Sequence, residues 1–86
     1  MMSPTISLQA IPVRSNSQDR EGQLVLVDGE LVAVLVRLAD DVHGLERGNW
    51  YLEGGFGPLM GRTPRTFASL DEALAWVLDR LMSKAA

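Results

Sequence analysis

The stretch 23–38, QLVLVDGELVAVLVRL, decides how this chain folds. Asp28-Gly29 sits between two branched-chain runs, Leu24 to Val27 and Leu31 to Val36. A two-residue hairpin turn of type I′ needs φ > 0 at both central positions, and an Asp-Gly pair meets that at the lowest steric cost. With this turn Val27 faces Glu30, Leu26 faces Leu31, Val25 faces Val32 and Leu24 faces Ala33. Side chains alternate along a strand. One face of the hairpin is therefore expected to carry Val25, Val27, Val32, Val34, Val36 and Leu38. The other is expected to carry Leu24, Leu26, Leu31, Ala33 and Leu35. Both faces are apolar, so both need a cover.

Outward from the hairpin, residues 5–13 alternate well enough for a strand, with Ile6, Leu8 and Ala10 on one side. Pro12 cannot donate to a ladder, which suits an edge position. Residues 14–22 are polar and read as a mobile loop. Residues 39–47 read as a polar connection, and 49–53 resume a strand with Trp50 and Leu52 on one face and Tyr51 on the other. Residues 54–63 hold four glycines and one proline and read as a loop, before a short return strand at 65–67. The last element is the best specified. Ser69-Leu70-Asp71-Glu72 fits a capping box, in which Ser69 caps the Glu72 amide and Glu72 reaches back to the Ser69 amide. Two acidic residues in the first turn also suit the positive end of the helix dipole. At about 100° per residue, Leu70, Leu74, Val77, Leu78 and Leu81 share one face of a helix over 70–83.

These readings make one α+β domain over 1–86, a three- to four-stranded antiparallel sheet packed by one C-terminal helix. One helix covers one face of the sheet. Ala33 would let it approach the Leu/Ala face closely, which leaves the valine face for the N-terminal strand or for a second subunit. The second subunit is the preferred reading, because a large apolar patch is rarely left uncovered. The interface expected from sequence is thus Val25, Val27, Val32, Val34 and Val36, with this chain as its own partner.

Composition narrows the function classes. The formal net charge is −3, which gives no general attraction to phosphate and argues against nucleic acid. There is no cysteine, which removes disulfides, thiolate metal sites and thiol nucleophiles. Residues 1–13 lack a basic region followed by an apolar run, and no apolar stretch reaches the roughly 18 residues of a membrane span. The expectation is a cytoplasmic protein without a membrane partner.

His43, the only histidine, stands with Asp40, Asp41 and Glu46 in the densest group of potential metal ligands. Adjacent Asp40 and Asp41 point different ways in an extended chain, so the group reads as a solvated loop, and neither metal nor cofactor is expected. No G-x-S-x-G elbow is present, and no acidic pair is marked by spacing, so no catalytic residue is assigned. The glycine-rich segment misses G-x-G-x-x-G and is not followed by a Lys-Ser/Thr pair. Its Phe56, Leu59 and Met60 instead suggest a long hairpin loop whose Phe56 and Leu59 tuck over the core or, as the functional reading, an apolar flap for a ligand or partner beside Arg62 and Arg65. Trp76 falls beside the polar side of the helix, one turn before Arg80, which could lie over its ring. Phe56, Leu59, Met60, Trp76 and Arg80 therefore join the candidate partner surface.

A further pattern runs through residues 48–80: Gly48-Asn49-Trp50 on a strand, then Thr66-Phe67-Ala68-Ser69, Glu72-Ala73 and Trp76 leading into the helix. In these positions the chain resembles the β-sheet-plus-helix DNA-binding domains of the AP2 and integrase-arm type. The resemblance implies a sheet docked in the major groove through arginine and aromatic side chains, with Arg37, Arg62 and Arg65 as the first contacts. The hairpin strands themselves offer Arg37 among valines and leucines. The reading carried forward is a small non-enzymatic binding module, acting as a homodimer or on another protein, with DNA binding as the alternative.

Overall fold

The computed structural model describes residues 4–61 and 65–84. Five strands form one antiparallel sheet in chain order: β1 Ile6–Pro12, β2 Glu21–Val27, β3 Glu30–Arg37, β4 Trp50–Gly55 and β5 Thr66–Phe67. A 3-10 segment, Asp41–Glu46, joins β3 to β4, and a second, Gly57–Leu59, follows β4. The helix α1, Leu70–Lys84, closes the chain on one face of the sheet. The architecture is thus α+β, but the sheet has five strands where three to four were expected. The strand β5 has only two residues, too few for alternation to mark it, yet it pairs Trp50 with Phe67 and Tyr51 with Thr66.

The turn forms as its residues require, with Asp28 at φ 53° and Gly29 at φ 84°. Beyond it the register departs from the simple hairpin. Leu26 pairs with Leu31, but Val25 pairs with Ala33 and Leu24 with Val34, so Val32 is an unpaired bulge residue. One extra residue on one strand reverses which face each later side chain takes. The expected all-valine face therefore does not exist. Val25 and Val27 lie on the same face as Ala33 and Leu35, and Val32 packs against that side too. Leu24, Leu26 and Leu31 join Val34 and Val36 on the opposite face.

The core lies between this first face and α1. Val25, Ala33, Leu35, Trp50, Leu52 and Phe67 from the sheet meet Ala73 and Val77 from the helix, with Leu70, Leu74 and Leu81 packed around them. Ala33 is fully buried and pairs with Gly55, the position onto which Leu59 closes down. Ser69 Oγ accepts from the Glu72 amide at 3.1 Å, while the Glu72 carboxylate takes the amide of Ala68, at 2.7 Å, rather than that of Ser69. The cap is reciprocal but displaced by one residue.

Two further expectations are corrected. The N-terminal strand covers neither face, because all seven residues of β1 pair edge-on with β2 and hold it in the plane of the sheet. The glycine-rich segment tucks over the core at Leu59 rather than standing off as a flap, whereas Phe56 stays exposed. Leu59 is buried in the core, and a Cβ on Gly55 would lie 2.6 Å from the Leu59 carbonyl oxygen. The glycine is what allows the segment to close down on the sheet, and Leu59 is unavailable as an interface residue. Arg62 lies outside the described residues.

Candidate functional site

The face opposite α1 divides into an open half and a roofed half. Nearest the turn, Leu24, Leu26 and Leu31 are flanked by Ser7, Gln9 and Ile11 of β1, which pair with Leu26, Leu24 and Gly22. Leu31 is 39% exposed and Ile11 38%, which is high for side chains of this size. Among the described residues none of this half carries a charge.

At the other end the chain folds back over the sheet. Gly22 makes room for this, since a Cβ there would meet Val13 Cγ2 at 2.7 Å. Residues 14–20, expected to be mobile, are instead laced together. Ser15 Oγ donates to the Asp19 carbonyl at 2.9 Å, and the Asp19 amide donates to Ser17 Oγ at 3.0 Å. The Val13 amide donates to the Arg20 carbonyl and closes the loop. Opposite this loop stands the 3-10 segment Asp41–Glu46, with Asp40 capping it by accepting from the Val42 amide.

Asp19 fastens the two pieces together. Its Oδ1 accepts from the amides of Ala39 and Asp40 at 2.7 and 2.8 Å, and its Oδ2 lies 2.5 Å from His43 Nε2. Burial alone pushes the Asp19 carboxyl up. The Ala39 amide, the His43 hydrogen bond, the Asp40 amide and the His43 charge together outweigh that and hold it below its ordinary value. On the far side Thr66 Oγ1 donates to Glu46 Oε2 at 2.7 Å, so the 3-10 segment is tied to β5 as well.

Between these ties lies a cavity of about 560 Å³. Its floor is Val34, Val36 and Leu38 with Tyr51, and its walls include His43, Asp19, Glu46 and Glu53. The volume is in the range of small-molecule sites, and a mainly apolar lining with a few polar groups is their usual character. The expected interface residues Val34 and Val36 thus form the floor of a cavity. Sequence reading singled out His43 but grouped it with Asp40, Asp41 and Glu46; its actual partner is Asp19, 24 residues upstream in another loop. Only the hydrogen-bonding bias of an Asp in a Ser-rich loop hinted at it. Among the described residues no group of three or more His, Asp and Glu side chains converges as a metal site. Val42 and Leu45, on the same 3-10 segment, are 82% exposed and fully exposed, and the sequence reading did not select them.

The remaining candidates lie around the helix. Trp76 is half-buried with its ring centroid 5.6 Å from that of Phe67, in a tilted arrangement. The guanidinium carbons of Arg65 and Arg80 stand 5.4 and 5.5 Å from the Trp76 ring. Arg80 thus lies over Trp76 as its spacing suggested, and Arg65 adds a second cation. Trp76→Ala is expected to lower stability by about 1–2 kcal/mol, through lost aromatic and cation–π packing. Urea unfolding followed by far-UV circular dichroism measures it, and an unchanged midpoint would leave Trp76 without a structural role. Phe56 and Met60 are exposed, at 45% and 70%.

No helix among the described residues is long and apolar enough to cross a membrane. Comparison with known proteins finds no match: no family model, no curated protein and no solved structure is similar to this chain.

Proposed function

We propose that this chain is a small non-enzymatic binding module that works as a homodimer, through the open half of the sheet face opposite α1. The observation that carries this is the uncharged apolar strip of Leu24, Leu26, Leu31 and Ile11, which the helix on the other face leaves uncovered. A two-fold contact sets the same patch against itself, so a surface without charge can pair with its copy without like-charge repulsion. The bulge at Val32 supplies the strip, since it moves three leucines onto this face.

Light scattering at about 100 µM is expected to give twice the chain mass, in the concentration range where modest interfaces saturate. Leu31→Asp is expected to give a folded monomer, because Leu31 is already partly exposed and the new charge would be buried only at the interface. A monomeric native chain at that concentration overturns the reading. A dimer that survives Leu31→Asp moves the interface to the edge strand Ile6–Pro12, which also lacks charge.

The DNA-binding alternative draws on the sheet-plus-helix topology. Against it, Arg37 faces Glu21 at 3.5 Å and Arg65 lies over Phe67 and Trp76, while among the described residues the open half of the sheet face presents no cation. Retention on a heparin column that falls steeply with salt would favour it.

A further inference from the structure

We propose that the cavity at the roofed end of the sheet is a binding site for a small organic cation, an ammonium group carried on an apolar body. The cavity lies at the end of the face away from Leu31, so the inference stands apart from self-association.

The argument is one of donors and acceptors. The floor of Val34, Val36 and Leu38 offers only apolar contact, and Val36 and Leu38 are already buried. Around it, most hydrogen-bond donors are committed. Ser15 Oγ donates to the Asp19 carbonyl, Thr66 Oγ1 donates to Glu46, and His43 Nε2 is held against Asp19. Both Asp19 oxygens are likewise engaged, so Asp19 serves as a strut rather than a ligand. Two carboxylates of the lining supply acceptors. Glu46 has one carboxylate oxygen outside its bond to Thr66, and Glu53 takes part in no ion pair among the described residues. Among the described residues, Arg14, exposed on the loop, is the one fixed cation of the lining and leaves the carboxylates in excess. An apolar body that carries a positive charge matches this combination of apolar floor and excess carboxylate. The Tyr51 ring, also in the lining, adds attraction for a cation.

Glu53 reaches this face by alternation along β4, since Tyr51 pairs with Val36 and Glu53 lies two residues on. A second register shift, with Leu35 opposite Leu52 but Val34 opposite Gly54, makes Glu53 the extra residue of β4. Its carboxylate stands in the wall of the cavity.

The test is an NMR titration of the full chain with phenethylamine, alongside 2-phenylethanol and 3-phenylpropionate as neutral and anionic counterparts, repeated on Leu31→Asp. Saturable shifts are expected at the amides of Val34, Val36, His43 and Tyr51 with the amine. The alcohol should bind at least about tenfold more weakly and the acid not measurably, as expected when a charge contact dominates recognition. Glu46→Gln combined with Glu53→Gln keeps the side-chain shapes and should weaken the amine by about tenfold or more. Equal binding of acid and amine, amine binding indifferent to the double variant, or no saturation by about 10 mM, where even weak millimolar sites fill, overturns the proposal. Persistence of the amine shifts in monomeric Leu31→Asp separates this result from the fate of the dimer.

Discussion

Phe67→Ala is expected to cost about 3–5 kcal/mol, the usual range for truncating a buried aromatic, and so to remove much of the stability of a domain this small. Phe67 is among the largest fully buried side chains, yet it stands on a strand of two residues. It bridges the two layers of the core, since it is in register with Trp50 in the sheet and its ring packs on Trp76 of the helix. The Arg65 guanidinium lies 4.9 Å from the Phe67 ring, so truncation also removes a cation–π contact. With so little backbone pairing, β5 has no independent reason to stay in place once the ring is gone. Urea unfolding monitored by circular dichroism gives the loss directly. Phe67→Leu, which keeps most of the volume, should lose only about 1–2 kcal/mol. A loss below about 1 kcal/mol for Phe67→Ala would mean that the core is not built around this ring.

Asp19→Ala is expected to cost about 2–3 kcal/mol, because it strands two backbone amides and removes the partner of His43. The same residue predicts a pH dependence whose sign follows from linkage. The folded carboxyl sits below the ordinary value of 3.8, so near and below that pH the unfolded chain binds more protons than the folded one. The stabilisation from Asp19 is therefore complete above the unfolded value and is lost as pH falls through the folded one. Asp19→Asn keeps an acceptor for the amides without the titrating group. The stability gap between the native chain and Asp19→Asn should shrink as pH falls through the folded value of Asp19. An acid limb identical in both proteins would show that Asp19 is not held ionised by its contacts. The cavity depends on this tie, so Asp19→Ala should also broaden the amide signals of residues 14–20.

Much of the layout was legible in local sequence. The Asp28-Gly29 turn, the alternating strands and the cap at Ser69 follow from φ preferences, side-chain alternation and the pairing of a hydroxyl with an exposed amide, all settled within a few residues. Trp76 and Arg80 met because they are one helical turn apart. The identity of the two faces was not legible. A bulge depends on how β3 meets both of its neighbours, and the Val32 carbonyl accepts from the Phe56 amide, 24 positions away. A valine that bulges and one that pairs look the same in sequence. A shift of one residue then moved Leu24, Leu26 and Leu31 to the uncovered side and Val25 into the core.

The candidate site was still less visible, because its parts come from distant segments. Asp19, Val36, His43, Tyr51 and Glu53 belong to two loops and two strands, and each reads locally as an ordinary solvated or core residue. By itself, then, the sequence determined the turn, the helix and its cap, and the α+β class, since those rest on short-range geometry. Tertiary structure alone decided which side chains lie under the helix, which strip stays open and which loops roof the cavity, because register and long-range hydrogen bonds exist only once the strands have met.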